Sequence, residues 1–137
     1  MNTQTVLQIA RETAAGLKSF PDGVRELVAA GVESYHADYL SLTKTFYGVD
    51  GSAFAAPILF EGLPPVAERL VPAALKAALV DSQSRGQKYR DFSRRAMEAG
   101  VHGYIVFPRG GRVLYFGRDG EQHLEWFPGA APRNAAA

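Results

Sequence analysis

Two stretches of the sequence match each other and decide the fold: FPDGVRELVAAGVESYHADYLSLTKTFYGVDG at residues 20–51 and YRDFSRRAMEAGVHGYIVFPRGGRVLYFGRDG at residues 89–120. They align without a gap at a shift of 69 positions and share nine identical residues, where ordinary residue usage would give about two. The identities include Gly31 with Gly100 and both Asp-Gly pairs, which are positions that punctuate structure. We interpret the chain as two copies of one unit. The alternative is two unrelated units that converge on similar turns.

Two amphipathic helices are predicted at the start of each unit. Apolar residues recur at helical spacing at Val6, Ile9, Ala10, Thr13 and Leu17 in the first unit and at Leu75, Ala78 and Leu79 in the second. The next helix begins at Ser19, a capping residue followed by Pro21 in the first turn, and ends at Gly31, which suits a left-handed helix terminus. Its copy ends at Gly100.

Three short strands are predicted after each helix pair. They lie near residues 32–39, 45–49 and 52–59 in the first unit and near 101–108, 113–117 and 121–127 in the second. Gly110-Gly111 and the two Asp-Gly pairs are hairpin signals, and Pro57 favours an edge position for its strand. Hairpin connections rather than crossovers predict an α+β fold, an antiparallel sheet with helices packed on one face and built from two helix-helix-hairpin units.

The composition is that of one ordinary domain. With 137 residues, of which 47% are hydrophobic, the chain can bury a stable core without disulfides or bound metals. We expect a single domain at residues 1–128, with units at about 3–60 and 72–128, a linker at 61–71 with a short helical turn at 66–71, and a disordered tail at 129–137. The lack of cysteine excludes disulfides and thiolate chemistry. No apolar run approaches the roughly 20 residues that span a bilayer, so we expect a cytoplasmic protein without a membrane partner.

A longer pattern spans both units. It comprises Ala30-Gly31-Val32-x-x-Tyr35-x-x-Asp38, Thr45-Phe46-Tyr47-Gly48-x-Asp50-Gly51, Gly100-Val101-x-Gly103-Tyr104 and Tyr115-Phe116-Gly117-Arg118-x-Gly120-Glu121-x-His123-x-Glu125-x-Phe127-Pro128. This pattern resembles the bacterial YdfO/YbcV-like family of unknown function, over nearly the whole chain up to the tail. The resemblance implies a small α+β fold with no established activity, and some members are labelled phage envelope proteins. It implies no catalytic residue.

Two histidine–carboxylate pairs are the candidate catalytic or metal-binding residues. His36 with Asp38, and His123 with Glu125, lie two positions apart in predicted strands, so each pair projects from one sheet face. If both strands met on one face, the four groups would suit a divalent metal or acid/base hydrolysis. The alternative is a polar strand face with local hydrogen bonds, which we favour, because His36 aligns with Ile105 in the repeat. We therefore expect no metal and no cofactor, and we lean against an enzyme.

Aromatic residues occupy both faces of the predicted strands. Neighbours such as Tyr115 and Phe116 cannot both face the helices, so a second apolar sheet face needs a cover: the linker, a second subunit or a ligand. We therefore favour a non-catalytic binding or interaction protein, in particular a homodimer or a complex with an unidentified protein, with a small-molecule ligand as a further option. The candidate binding residues are Tyr35, Tyr47, Tyr104, Tyr115, Arg112 and Arg118.

A basic segment lies within a chain whose net charge is only +1. Residues 84–118 carry eight Lys and Arg against two Asp and Glu. Arg90, Arg94 and Arg95 are expected on the outward side of the fourth helix, and Arg109 and Arg112 flank a hairpin turn, which would suit single-stranded nucleic acid. The sequence pI near 8.0 and the lack of a nucleic-acid motif oppose this reading. Nucleic acid is therefore a disfavoured partner.

Overall fold

The computed structural model describes residues 1–132, in which two units follow each other with the same order of elements. The first unit consists of α1 (Thr3–Ala14), α2 (Phe20–Ala29), β1 (Val32–Asp38), β2 (Thr43–Gly48) and β3 (Ala53–Pro57). The second consists of α3 (Pro72–Ser84), α4 (Tyr89–Glu98), β4 (Val101–Phe107), β5 (Arg112–Gly117) and β6 (Gln122–Trp126). The predicted α+β fold is confirmed. The end of the predicted tail, residues 133–137, lies outside the described residues.

All six strands form one antiparallel sheet in the order β3-β2-β1-β4-β5-β6. The two units meet where β1 pairs with β4, with Tyr35 opposite Val106 and Ala37 opposite Tyr104. A shift of 69 positions converts each of these pairs into the other, so the pairing is two-fold symmetric. β3 lies at an edge of the sheet, as Pro57 predicted.

The two faces of the sheet have different neighbours. The inner face packs against the helices, since the buried side chains of β1, β2, β4 and β5 form one core with Val6, Leu27, Leu75 and Phe92 from the four helices. The inner-face residues are Tyr35, Ala37, Lys44, Phe46, Phe54, Ala56, Tyr104, Val106, Val113, Tyr115, His123 and Glu125. The alternate residues of each strand form the outer face.

Local signals set most of the helix ends. Ser19 caps α2, its side chain accepting a hydrogen bond of 3.2 Å from the backbone N–H of Asp22. α1 ends at Ala14, earlier than predicted, because Gly16 turns the backbone to a φ of +75°. Leu17 therefore lies beyond the helix and is 77% exposed.

The linker between the units packs against the second unit without the predicted helical turn at 66–71. The backbone N–H groups of Ala67 and Val71 donate to the carbonyls of Met97 (3.0 Å) and Ala99 (2.7 Å) at the end of α4. Val66 and Leu70 are buried in the core. The linker therefore runs directly over the turn that joins α4 to β4.

Candidate functional site

A cavity of about 700 Å³ lies between the helices and the inner face of the sheet. Its floor consists of Tyr35, Lys44, Phe46, Tyr104, Val113 and Tyr115. Each of the four helices contributes to the wall, with Ile9, Leu27, Leu79 and Phe92 among the residues. The loops between α1 and α2 and between α3 and α4 also line it, together with residues 125–128. The volume falls within the range of small-molecule sites, about 300–1,000 Å³.

Tyrosine hydroxyls form a network beside this cavity. The Tyr104 hydroxyl donates to that of Tyr89 at 2.7 Å, and the hydroxyl of Tyr39 lies 2.9 Å from the Ser93 hydroxyl. Burial raises the pKa of Tyr39 and Tyr104 well above the ordinary value, and neighbouring tyrosines raise it further. These phenols are therefore neutral at physiological pH and can donate hydrogen bonds.

Two further tyrosines on the cavity floor, Tyr35 and Tyr115, lie outside that network. Burial raises the pKa of both hydroxyls well above the ordinary value. Within residues 1–132, the one side-chain nitrogen or oxygen that is fully buried without a partner is Nε2 of His36 on the other face. The hydroxyls of Tyr35 and Tyr115, which no described side chain binds, therefore reach the cavity.

Lys44 places a positive charge on the cavity floor. The residue is only 8% exposed, and its Nζ lies 3.9 Å from the centroid of the Tyr89 ring and 6.0 Å from that of the Tyr35 ring. No carboxylate among residues 1–132 lies within 4.0 Å of this ammonium group. Sequence reasoning missed Lys44 because it stands between two threonines and looks like part of a polar strand. Its even spacing from Phe46 was the signal that could have identified it.

The other lysines of the cavity have partners. Lys18 lines the cavity and contacts the carboxylates of Glu12 and Glu26. Lys88 donates from Nζ to the carbonyl of Gly16 at 2.9 Å and so links the two interhelical loops. Within the described part of the chain, Lys44 is thus the one lysine of the lining without an oxygen partner.

The internal repeat shows which inner-face side chains the fold does not require. Lys44 aligns with Val113, His123 with Phe54 and Glu125 with Ala56. At each of these equivalent positions the other unit carries an apolar residue in the same orientation. Lys44, His123 and Glu125 are therefore polar at positions where the other unit is apolar, and all three lie in the cavity lining or beside it.

The four candidate catalytic residues do not converge. His36 and Asp38 lie on the outer face, whereas His123 and Glu125 lie on the inner face, and β4 and β5 separate their strands. The two pairs therefore cannot form a shared metal or hydrolytic site, because they lie on opposite faces of the sheet. No group of three or more His, Asp or Glu side chains within residues 1–132 is arranged to hold a metal ion.

Each histidine has its own local surroundings. His123 Nε2 lies 2.9 Å from Glu125 Oε2 beside the cavity. On the outer face, His102 Nε2 lies 3.6 Å from Asp38 Oδ1, a contact that sequence reasoning missed because a bulge between Val101 and Gly103 shifts the register there. The ring of His36 lies 5.7 Å from that of Phe116.

The predicted binding residues divide among three places. Tyr35, Tyr104 and Tyr115 come together on the cavity floor rather than on an uncovered face. Tyr47 and Arg112 lie on the outer face, where the Arg112 guanidinium stacks 4.3 Å from the Trp126 ring centroid. Arg118 donates to the carbonyl of Val66 at 3.3 Å in the linker. The predicted binding residues therefore do not share one uncovered sheet face.

The outer face is apolar mainly in the second unit. Its residues there include Ile105, Phe107, Leu114, Phe116, Leu124 and Trp126. Leu124 is 43% exposed, and no helix within residues 1–132 packs over this face. The equivalents of Ile105 and Phe107 in the first unit are His36 and Asp38. The homodimer predicted to cover this face stays a prediction.

The candidate arginines for nucleic acid lie on both sides of the sheet. Arg90 and Arg94 belong to α4 on the helix side, whereas Arg112 lies on the outer face. Arg109 contacts the Glu33 carboxylate at 2.7 Å. Arg95 does not point outward as predicted, because its Nη1 contacts the Asp81 carboxylate of α3 at 2.6 Å. The sequence cluster therefore does not become one basic surface.

No family model and no curated protein sequence matches the chain. The resemblance to the YdfO/YbcV-like family accordingly stays a prediction. No helix in the described residues is long and apolar enough to cross a membrane.

Proposed function

We propose that this protein is a non-catalytic binding protein that takes a small, largely apolar molecule into the cavity between its helices and its sheet. The observation that carries this proposal is the cavity of about 700 Å³ on an aromatic floor. Protein interiors are normally close-packed, with few voids larger than a water molecule. A space of this size between two packed layers is typical of a ligand site.

The lining supports binding rather than catalysis. Its tyrosine hydroxyls are neutral, because burial raises their pKa values, so they are hydrogen-bond donors and not nucleophiles. The aromatic side chains of Phe46, Tyr104 and Tyr115 make the floor apolar, which suits a ring system or an acyl chain. One histidine–carboxylate pair borders the cavity: Glu125 is part of its lining and contacts His123 at 2.9 Å on the edge strand β6.

Binding can be tested with N-phenylnaphthylamine, a neutral dye that becomes fluorescent in apolar surroundings. We expect saturable binding to the purified protein with one site per chain. Val113→Trp should abolish binding, because Val113 points into the cavity and the indole would occupy it. Leu114→Trp is the matched control, because the neighbouring side chain points to the outer face. That variant should bind the dye as the wild type does.

Thermal unfolding followed by circular dichroism establishes that both tryptophan variants are folded. Equal binding by the two folded variants would place the dye outside the cavity and contradict the proposal. Absence of binding to the wild type would contradict it directly. If Val113→Trp does not fold, Phe92→Trp adds the same ring from the helix side of the cavity and provides the same comparison.

A further inference from the structure

We infer that the molecule bound in this cavity is an organic anion, an apolar or aromatic body with a carboxylate, sulfonate or similar group that Lys44 binds. The inference rests on the proposed function, since it names the chemical class of that ligand. It depends on the burial of Lys44, on the partners that surround it and on the repeat.

The Lys44 residue is only 8% exposed, and among residues 1–132 no carboxylate lies within 4.0 Å of its ammonium group. Lysine is rarely buried unless it is paired, and burial of a charge without compensation is costly. Within residues 1–132 the close contact of Nζ is the face of the Tyr89 ring, at 3.9 Å from the centroid. A cation–π contact offsets part of the lost hydration. Because Lys44 lines the cavity, the N–H donors that do not point at this ring are available to an acceptor there.

No carboxylate that lines the cavity within residues 1–132 neutralises Lys44. Glu125, the one carboxylate in the lining, already contacts His123 at 2.9 Å. It stands on β6, four strands from β2, which corresponds to about 19 Å at the usual spacing of neighbouring strands. The tyrosines nearby are neutral, as their raised pKa values require. The cavity near β2 is therefore a positively charged site lined with hydroxyl donors.

The fold has no need for a lysine at this position. The second unit builds the same strand with Val113, which lies on the same face and is buried. An apolar side chain therefore satisfies the packing of this architecture. The first unit has a charged side chain at the position where the second unit has a valine. Binding of an anionic ligand explains this difference.

The position of Lys44 also defines how such a ligand would lie. Its Nζ is 6.0 Å from the centroid of the Tyr35 ring, whose hydroxyl is available to the cavity. The anionic group would accept hydrogen bonds from the ammonium group and from this hydroxyl. The apolar body would extend over Tyr104 and Tyr115 toward β6. Charge at one end and rings along the floor match an amphiphilic anion.

The test compares two dyes that share one ring system and differ by one charge. Anilinonaphthalene sulfonate carries a sulfonate, and N-phenylnaphthylamine does not. Lys44→Met keeps the length of the side chain and removes its charge. We expect it to weaken binding of the sulfonate dye about tenfold or more and to leave the neutral dye within about twofold. Lys76→Met, at an exposed lysine of α3 outside the cavity, should change neither affinity.

The outcomes separate the two proposals. If the wild type binds the neutral dye and Lys44→Met weakens both dyes equally or neither, the anionic ligand is ruled out and the binding function stands. If the neutral dye does not bind the wild type, the proposed function itself fails. Lys44→Arg retains the charge and should retain the preference for the sulfonate. Lys44→Leu replaces the Met variant if that variant is unfolded by circular dichroism.

Discussion

Gly31 and Gly100 stand at equivalent positions of the two units, yet we expect alanine to have very different effects at them. Their φ angles are nearly equal, +93° and +89°, and a left-handed conformation costs an alanine about 1–2 kcal/mol. A Cβ at Gly31 would lie 3.2 Å from Cα of Met1. A Cβ at Gly100 would lie 2.0 Å from the carbonyl oxygen of Arg69 and 2.4 Å from its carbonyl carbon. Those two atoms are backbone, so they cannot rotate away.

The expected loss follows from the linker that would have to move. Displacing Arg69 strains two hydrogen bonds, from the N–H of Ala67 to Met97 (3.0 Å) and from the N–H of Val71 to Ala99 (2.7 Å). Each is worth about 1 kcal/mol, and overpacking adds about 1–3 kcal/mol. Together with the conformational cost, Gly100→Ala should lose about 4 kcal/mol or more. Domains of this kind have a total stability of about 5–15 kcal/mol.

Urea unfolding followed by the fluorescence of Trp126, the single tryptophan, measures this difference. Gly31→Ala should lose about 1–2 kcal/mol, and Gly100→Ala should exceed it by about 2 kcal/mol or more or fail to fold. Gly120→Ala is the control for backbone conformation alone, because its φ is +83° and nothing lies within 4 Å of the added Cβ. Equal losses at Gly31 and Gly100 would show that the linker does not press on the second unit, and the packing described above would be wrong.

Three further substitutions test the network, the turn and the outer face. Tyr104→Phe removes the 2.7 Å hydrogen bond to Tyr89 and should lower the free energy of unfolding by about 1 kcal/mol; an unchanged urea midpoint would contradict this. Burial alone would raise the pKa of Asp38, but hydrogen bonds from backbone N–H groups of the β1–β2 turn lower it below its usual value. Its contribution to stability is therefore complete above the unfolded-state pKa near 3.8 and is lost as the pH falls through the lower folded-state pKa. Asp38→Ala should lower the free energy of unfolding by about 1 kcal/mol at pH 7. The difference in this free energy between the variant and the wild type should disappear when unfolding is measured at acid pH. If a second copy covers the outer face, Leu114→Lys should convert the dimer to a monomer in gel filtration with light scattering, and a monomeric wild type at tens of micromolar would contradict the predicted homodimer.

The elements could be predicted because their signals are local. The capping side chain of Ser19, the left-handed glycines at the helix ends and the hairpin pairs each act within a few residues. Pro57 located an edge strand because proline has no N–H to donate to a neighbouring strand. The prediction of a helical turn at 66–71 was wrong, because the backbone N–H groups of Ala67 and Val71 bond to carbonyls at the end of α4 instead.

The candidate site was predicted only in part. Tyr35, Tyr104 and Tyr115, three of the predicted binding residues, share the cavity floor. The histidine–carboxylate pairs were expected to meet if their strands shared a face, and they do not. Alternation within a strand shows which residues share a face, but it does not show which face meets the helices. Lys44 was missed for the same reason, because its even spacing from Phe46 shows that the two share a face but not that this face is buried.

The order of helices and strands, the repeat and the turn positions are properties of short segments, so the amino-acid sequence alone was enough to establish them. The cavity, the burial of Lys44 and the unequal surroundings of Gly31 and Gly100 depend on which distant segments come into contact. The two glycines have nearly the same backbone conformation, yet Met1 lies against one and the linker against the other. Burial and close contact are set by the packing of elements far apart in the chain, and these contacts form only when those elements fold against each other.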